Sequence, residues 1–212
     1  MKKIFVLSTL LLALNSFAQD YLSVSLYKSY SNFNFTNSQG EKDKSINAVW
    51  NNSCAINYQQ IINTHFFVRG ELGIKAMGAY SVLNTSKITW NLNYMDINWG
   101  GGYILLIKKI QAYAGASFYG SYLLSANQTI GANYYDIKKD NSIKKNDYGI
   151  NAFIGAIYPI SNTSSFFIEC AKSIGLTQLD EGSNQKLYNK AMFFKLGLMF
   201  KLNTRKKKTG LE

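Results

Sequence analysis

Six charged residues carry the first signal in this sequence: Arg69, Glu71, Lys75, Asp96, Glu169 and Lys195. Arg69, Glu71 and Lys75 are separated by even intervals, so in a strand they share one face, because side chains alternate sides with a period of two. Their neighbours Val68, Leu72, Ile74 and Ala76 take the other face. Asp96 lies opposite Met95 and Ile97 in the same way, and Lys195 opposite Phe194 and Leu196. Three cations and three carboxylates on the polar face of otherwise apolar strands are suited to ion pairing or to selecting a charged solute.

Other reactive residue types are sparse. His65 is the only histidine, placed between Thr64 and Phe66 in a turn-like segment, and a hydroxyl without a nearby base is not a nucleophile. Cys54 and Cys170 are the only cysteines. They fall on strands that are not neighbours, and Cα atoms more than ~7 Å apart cannot be bridged, so two free outward-facing thiols are expected. Asp136, Asp140 and Asp147 are interleaved with lysines, which reads as a solvated loop and not a calcium cage. Gly100-Gly101-Gly102 lies inside a strand-like run, where it relieves crowding or makes a bulge. No metal, cofactor or catalytic residue is expected.

The elements that position the charges are eight alternating segments: Tyr21 to Phe35, Ser53 to Ile62, Phe66 to Val82, Ile88 to Leu106, Ile110 to Asn127, Tyr148 to Ile160, Ser165 to Gln178 and Ala191 to Leu202. In the fifth, Ala114, Ala116, Phe118 and Tyr122 oppose Tyr113, Ser117, Tyr119, Ser121 and Ser125. In the last, Met192, Phe194, Leu196, Leu198, Phe200 and Leu202 form an unbroken apolar row. The connections alternate in length. Asn63-Thr64-His65, Ile107-Lys108-Lys109 and Ser161 to Ser164 are tight; Thr36 to Asn52, Leu83 to Lys87, Gln128 to Asp147 and Leu179 to Lys190 are longer. A soluble sandwich has no reason to sort loops by parity, whereas a membrane barrel has short turns on one side and longer loops on the other.

The expected fold is therefore all-β: an eight-stranded antiparallel up-and-down transmembrane β-barrel, apolar outside and polar within. Tyr80, Tyr103, Tyr122 and Tyr158 suit an outward aromatic girdle. Pro159, the single proline, falls at a strand end, where it is tolerated. Aromatic residues make up 15% and charged residues 17%, less charge than a water-soluble domain carries.

The N-terminus supplies an address. Basic Met1-Lys2-Lys3, apolar Ile4 to Leu14 and Ser16-Phe17-Ala18 follow the order of a secretory signal cut after Ala18. The apolar part is too short to span ~30 Å of hydrocarbon as a helix. The expected organisation is a signal peptide at 1–18, a barrel domain at 19–203 and a basic periplasmic tail at 204–212. Net charge is +11, concentrated in part at Lys138-Lys139, Lys144-Lys145 and Arg205 to Lys208. In an exported protein these read as solvated loops or contacts to anionic headgroups, not as a nucleic-acid site.

The run Leu92 to Tyr103 resembles the fourth-strand signature of the PorT-type outer membrane β-barrel family, a porin-like group. The similarity continues through Ala112 to Gly115, Gly120 to Ser125, Asp147-Tyr148-Gly149-Ile150 and Ser173 to Thr177. Asn98 stands where the family often has Pro, and Ala171-Lys172 where an Arg-Tyr pair is common. The resemblance implies an integral outer-membrane location and no single function, since members include export components and adhesion-like proteins.

The resulting expectation is a monomer with a structural, binding or export-accessory role. Its partners are outer-membrane lipids and, during insertion, the barrel-assembly machinery. Trp50-Asn51-Asn52 and Tyr134-Tyr135-Asp136 offer exposed groups to a protein partner, or simply sit at the headgroup boundary. An eight-stranded lumen is about wide enough for side chains to fill, which favours an ion-paired plug over a narrow gated channel. A soluble lipocalin-like binding barrel is a further alternative.

Overall fold

The computed structural model describes residues 19–43, 45–83, 86–139, 143–180 and 185–202. The expected signal segment 1–18 and the tail 204–212 lie outside the described residues, as does Asp140. Among the described residues there are nine strands: β1 (Gln19–Thr36), β2 (Asn47–Ile61), β3 (Phe66–Leu83), β4 (Ser86–Ile107), β5 (Ile110–Ile130), β6 (Asn133–Asp136), β7 (Asn146–Pro159), β8 (Ser164–Gly175) and β9 (Lys186–Leu202).

Eight of them close into a ring. Each pairs antiparallel with its sequence neighbour, β5 passing to β7, and β9 returns to β1 in an unbroken register from Asp20↔Leu202 to Thr36↔Lys186. Closure leaves no sheet edge, which a lipid environment requires because it offers no water to unpaired backbone groups. The ninth strand departs from the eight expected. β6 pairs only with β5, turned back at Gly131 with φ +58° as a hairpin outside the ring, so Tyr134 and Tyr135 belong to a strand and not to a plain loop.

Two further expectations are corrected. The connection at Leu83 to Lys87 is not a longer loop: Leu83 pairs with Ser86, so only residues 84–85 lie between β3 and β4, which instead project further as paired strands. Asp147 is not a solvated loop residue: β7 starts at Asn146, and Asp147 is fully buried opposite Ser121.

The faces follow the alternation. Leu26, Ile97, Trp99, Phe118 and Leu196 stand outward and exposed, forming an apolar wall, while the six charged residues turn inward. This is the inverse of a lipocalin-type barrel, whose apolar face is inside. Cys54 and Cys170 are free thiols on β2 and β8. Ser125 departs from the expected inward face. The β4–β5 register shifts between Asn93↔Ser125 and Tyr94↔Leu123, so Leu124 is an extra residue. That shift sets Ser125 beside Asn93, whose amide donates to it at 2.9 Å, and buries Ala126 instead. No register shift occurs at Gly100-Gly101-Gly102; a Cβ at Gly102 would lie 2.2 Å from the Ala114 carbonyl and 2.9 Å from the Phe67 ring, so glycine there relieves crowding.

The inner face is not polar throughout. Toward the short-turn end, Phe67, Tyr113 and Phe153 form an aromatic floor with ring centroids 5.9–6.2 Å apart. Toward the long-loop end, Met77, Leu92, Leu123 and Leu179 are buried as an apolar cap. The charges lie between these layers.

Candidate functional site

The charged belt is built by β3, β4, β8 and β9. Arg69 reaches across the lumen to Glu169, with Nη1 donating to Oε2 and Nη2 to Oε1 at 3.1 Å. Lys195 donates to Glu71 at 2.6 and 2.9 Å and lies 3.6 Å from Glu169, so it joins two carboxylates. Lys75 pairs with Asp96 at 2.6 Å and donates to Ser121 at 2.7 Å, and Ser121 donates in turn to Asp96. All six charged side chains are buried. Buried ions are stable only when paired and further hydrogen-bonded, and both conditions are met here.

Several residues complete the belt that the charge pattern did not single out. Tyr113 donates to Glu169 at 3.0 Å. Asn98 donates to Asp96 at 2.6 Å and accepts from Asn151 at 2.7 Å. The cations also lie over aromatic faces: Arg69 is 3.6 Å from the Phe153 centroid and Lys75 3.8 Å from that of Tyr119. The available signal was the same inward alternation, since Asn98 follows Asp96 by two and Tyr113, Ser117, Tyr119 and Ser121 share a parity. A second buried group holds Asp147, which accepts from Asn189 at 2.7 Å and from Tyr119 at 3.2 Å.

The space left inside this belt is about 20 Å³, bounded by the six charges with Tyr27, Asn98, Ser117 and Asn151 among its other walls. One water needs roughly 10–15 Å³, so this space takes about one molecule.

A closed antiparallel ring with an apolar exterior is also found among solved structures. The chain has the fold of the outer-membrane β-barrels. Neisserial surface protein A matches with a TM-score of 0.52 at 12% identity, covering 88% of this chain and 100% of that one. The outer membrane protein OprG from Pseudomonas aeruginosa matches with a TM-score of 0.49 at 8% identity, over 88% and 97% of the two chains. The outer membrane protease OmpT from Escherichia coli gives 0.44 at 9%, over 87% and 97%. No family model matches the sequence, and no curated protein matches it.

His65 stacks on Tyr103 at 5.3 Å in the exposed first short turn, with Thr64 Oγ1 2.8 Å from its Nδ1. Among the described residues no group of three His, Cys, Asp or Glu side chains could hold a metal ion. Asp136 forms an exposed ion pair with Lys139 at 3.5 Å. Trp50 is on the outer wall of β2, 4.8 Å from Tyr30 and 5.8 Å from Phe194 by ring centroids, and not in a loop. Tyr134 and Tyr135 are exposed on the β6 hairpin. At the long-loop mouth a cavity of about 440 Å³ is lined by Phe33, Ile46, Trp90, Ile137 and Leu187, with Asp43 and Gln128 among its polar walls.

Proposed function

We propose that this chain is an integral outer-membrane β-barrel whose lumen is sealed by its own ion pairs, and that it has a structural, binding or export-accessory role. The single observation that carries the reading is the residual space of about 20 Å³ within the belt. A conducting pore needs a water-filled path, and here Arg69 and Lys195 are committed to carboxylates across the lumen, while Lys75 is held by Asp96 on the adjacent strand. The apolar outer wall and the signal-like N-terminus support export and membrane insertion, and the resemblance to the PorT-type barrels supports the same placement. The role is non-enzymatic on this reading, with the loops and the outer wall as the working surfaces.

The test is single-molecule conductance in planar bilayers. The folded chain should give no steady, ion-selective current. The double variant Arg69→Ala/Glu169→Ala, which removes a pair across the lumen, should raise leak events. A reproducible selective conductance from the unaltered chain would overturn the sealed reading in favour of a small gated channel.

A further inference from the structure

A second set of charges lies on the outside of the barrel, at a groove that no carboxylate lines. Lys190 on β9 stands between Ile174 of β8 and Asn32 of β1. One outward step down, Met192 is flanked by Lys172 and Tyr30; one more, Phe194 is flanked by Cys170 and Lys28. Lys28, Lys172 and Lys190 are all exposed. Lys42, from the connection after β1, is bridged to Thr36 and comes over the same wall. Lys42, Lys172 and Lys190 share a groove of about 570 Å³ with Asn34 and Tyr188, and Ile174 and Leu176 form its apolar side.

No carboxylate lines this groove, and among the described residues none of its lysines is in an ion pair. Glu71, Asp96, Asp147 and Glu169 are all buried in the lumen, Asp20 is at the opposite end of β1, and Glu41 and Asp43, which flank Lys42 in the chain, do not line the groove. Lysine on a lipid-facing wall is strongly unfavourable at mid-bilayer and nearly neutral in effect at headgroup level. The groove is at that upper level, beside the connections 37–46 and 176–185, and the apolar row Met192, Phe194 and Leu196 runs down from it. Neighbouring ammonium groups repel unless an anion sits between them, and ammonium is a compact donor suited to phosphate.

We infer that this groove binds the phosphate of a phosphorylated glycolipid in the outer leaflet, with acyl chains lying along Met192, Phe194 and Leu196. The inference rests on the outer-membrane reading above. Phosphate-free lipid would satisfy the apolar row and leave the lysines unmatched. Free phosphate would satisfy the lysines and leave the row unused.

The barrel would be reconstituted in phosphatidylcholine nanodiscs and titrated with bisphosphorylated lipid A, with dephosphorylated lipid A and with inorganic phosphate as competitors, bound lipid being read by native mass spectrometry. The unaltered chain should prefer the phosphorylated lipid about tenfold or more. Lys172→Gln and Lys190→Gln should each weaken it about fivefold, and the pair roughly 25-fold. Lys87→Gln, an exposed lysine of β4 packed over Tyr80, should change it little. Equal binding of dephosphorylated lipid, displacement by inorganic phosphate at matched concentration, or an equal loss from Lys87→Gln would each overturn the site. The lipid preference of the unaltered chain needs no variant. A heat-dependent mobility shift on SDS gels reports barrel formation separately, so failure of the outer-membrane reading is distinguishable from failure of the groove.

Discussion

Arg69 and Glu169 are 100 positions apart in the chain and meet as a two-pronged ion pair across the lumen. Their strands, β3 and β8, are not neighbours in the ring, so the pair is a strut between opposite walls and not a ladder contact. Lys195 ties it to Glu71, which makes the strut part of one belt.

Removing one end of the strut should cost more than removing both. Glu169→Ala leaves Arg69 buried without its carboxylate, at a cost of about 3–5 kcal/mol. Arg69→Met/Glu169→Met replaces both ions with apolar volume and should recover most of that loss. Denaturant unfolding in lipid, followed by tryptophan fluorescence, measures both; equal losses in the single and double variants would sink the strut.

Ser31 repairs a gap in the β2–β3 ladder. The register slips between Ala48↔Ala79 and Cys54↔Ile74, and there the Ser31 hydroxyl from β1 accepts from Gly78 N–H at 2.8 Å and donates to Gly78 C=O at 3.0 Å. Ser31→Ala should therefore destabilise the barrel by about 1–3 kcal/mol, the penalty of leaving buried backbone groups unpaired. Ser161→Ala, in an exposed turn, should cost less. The comparison is the shift in denaturation midpoint, and no difference between the two would mean that water replaces the hydroxyl.

The outer wall should show a depth dependence. Leu198→Arg, in the apolar row of β9, should oppose insertion by about 2–4 kcal/mol if it lies near mid-bilayer, whereas Leu202→Arg at the short-turn end should cost about 0–1 kcal/mol. The readout is the fraction of chain that becomes heat-modifiable after refolding into vesicles. A barrel with water outside would tolerate both equally.

Alternation along each strand was legible in the sequence because inward and outward positions have opposite solvents, and a period of two writes that difference directly into residue type. It revealed the eight strands of the ring, though not β6, the parity of the short turns and the inward set Arg69, Glu71, Lys75, Asp96, Glu169 and Lys195. Alternation carries no information about partners. Only the closed ring decided that Arg69 meets Glu169 and that Lys195 is shared by Glu71 and Glu169, because those distances depend on barrel diameter and stagger, whereas Lys75 meets Asp96 through the β3–β4 register. Local slips were equally hidden: the extra residue at Leu124 moves Ser125 and Ala126 to opposite faces, and hydrophobicity cannot mark where such a slip occurs. Asp147 was misread for a related reason. Its lysine-rich neighbourhood resembles a loop in sequence, and only pairing with Ser121 on β5 carries it into the barrel.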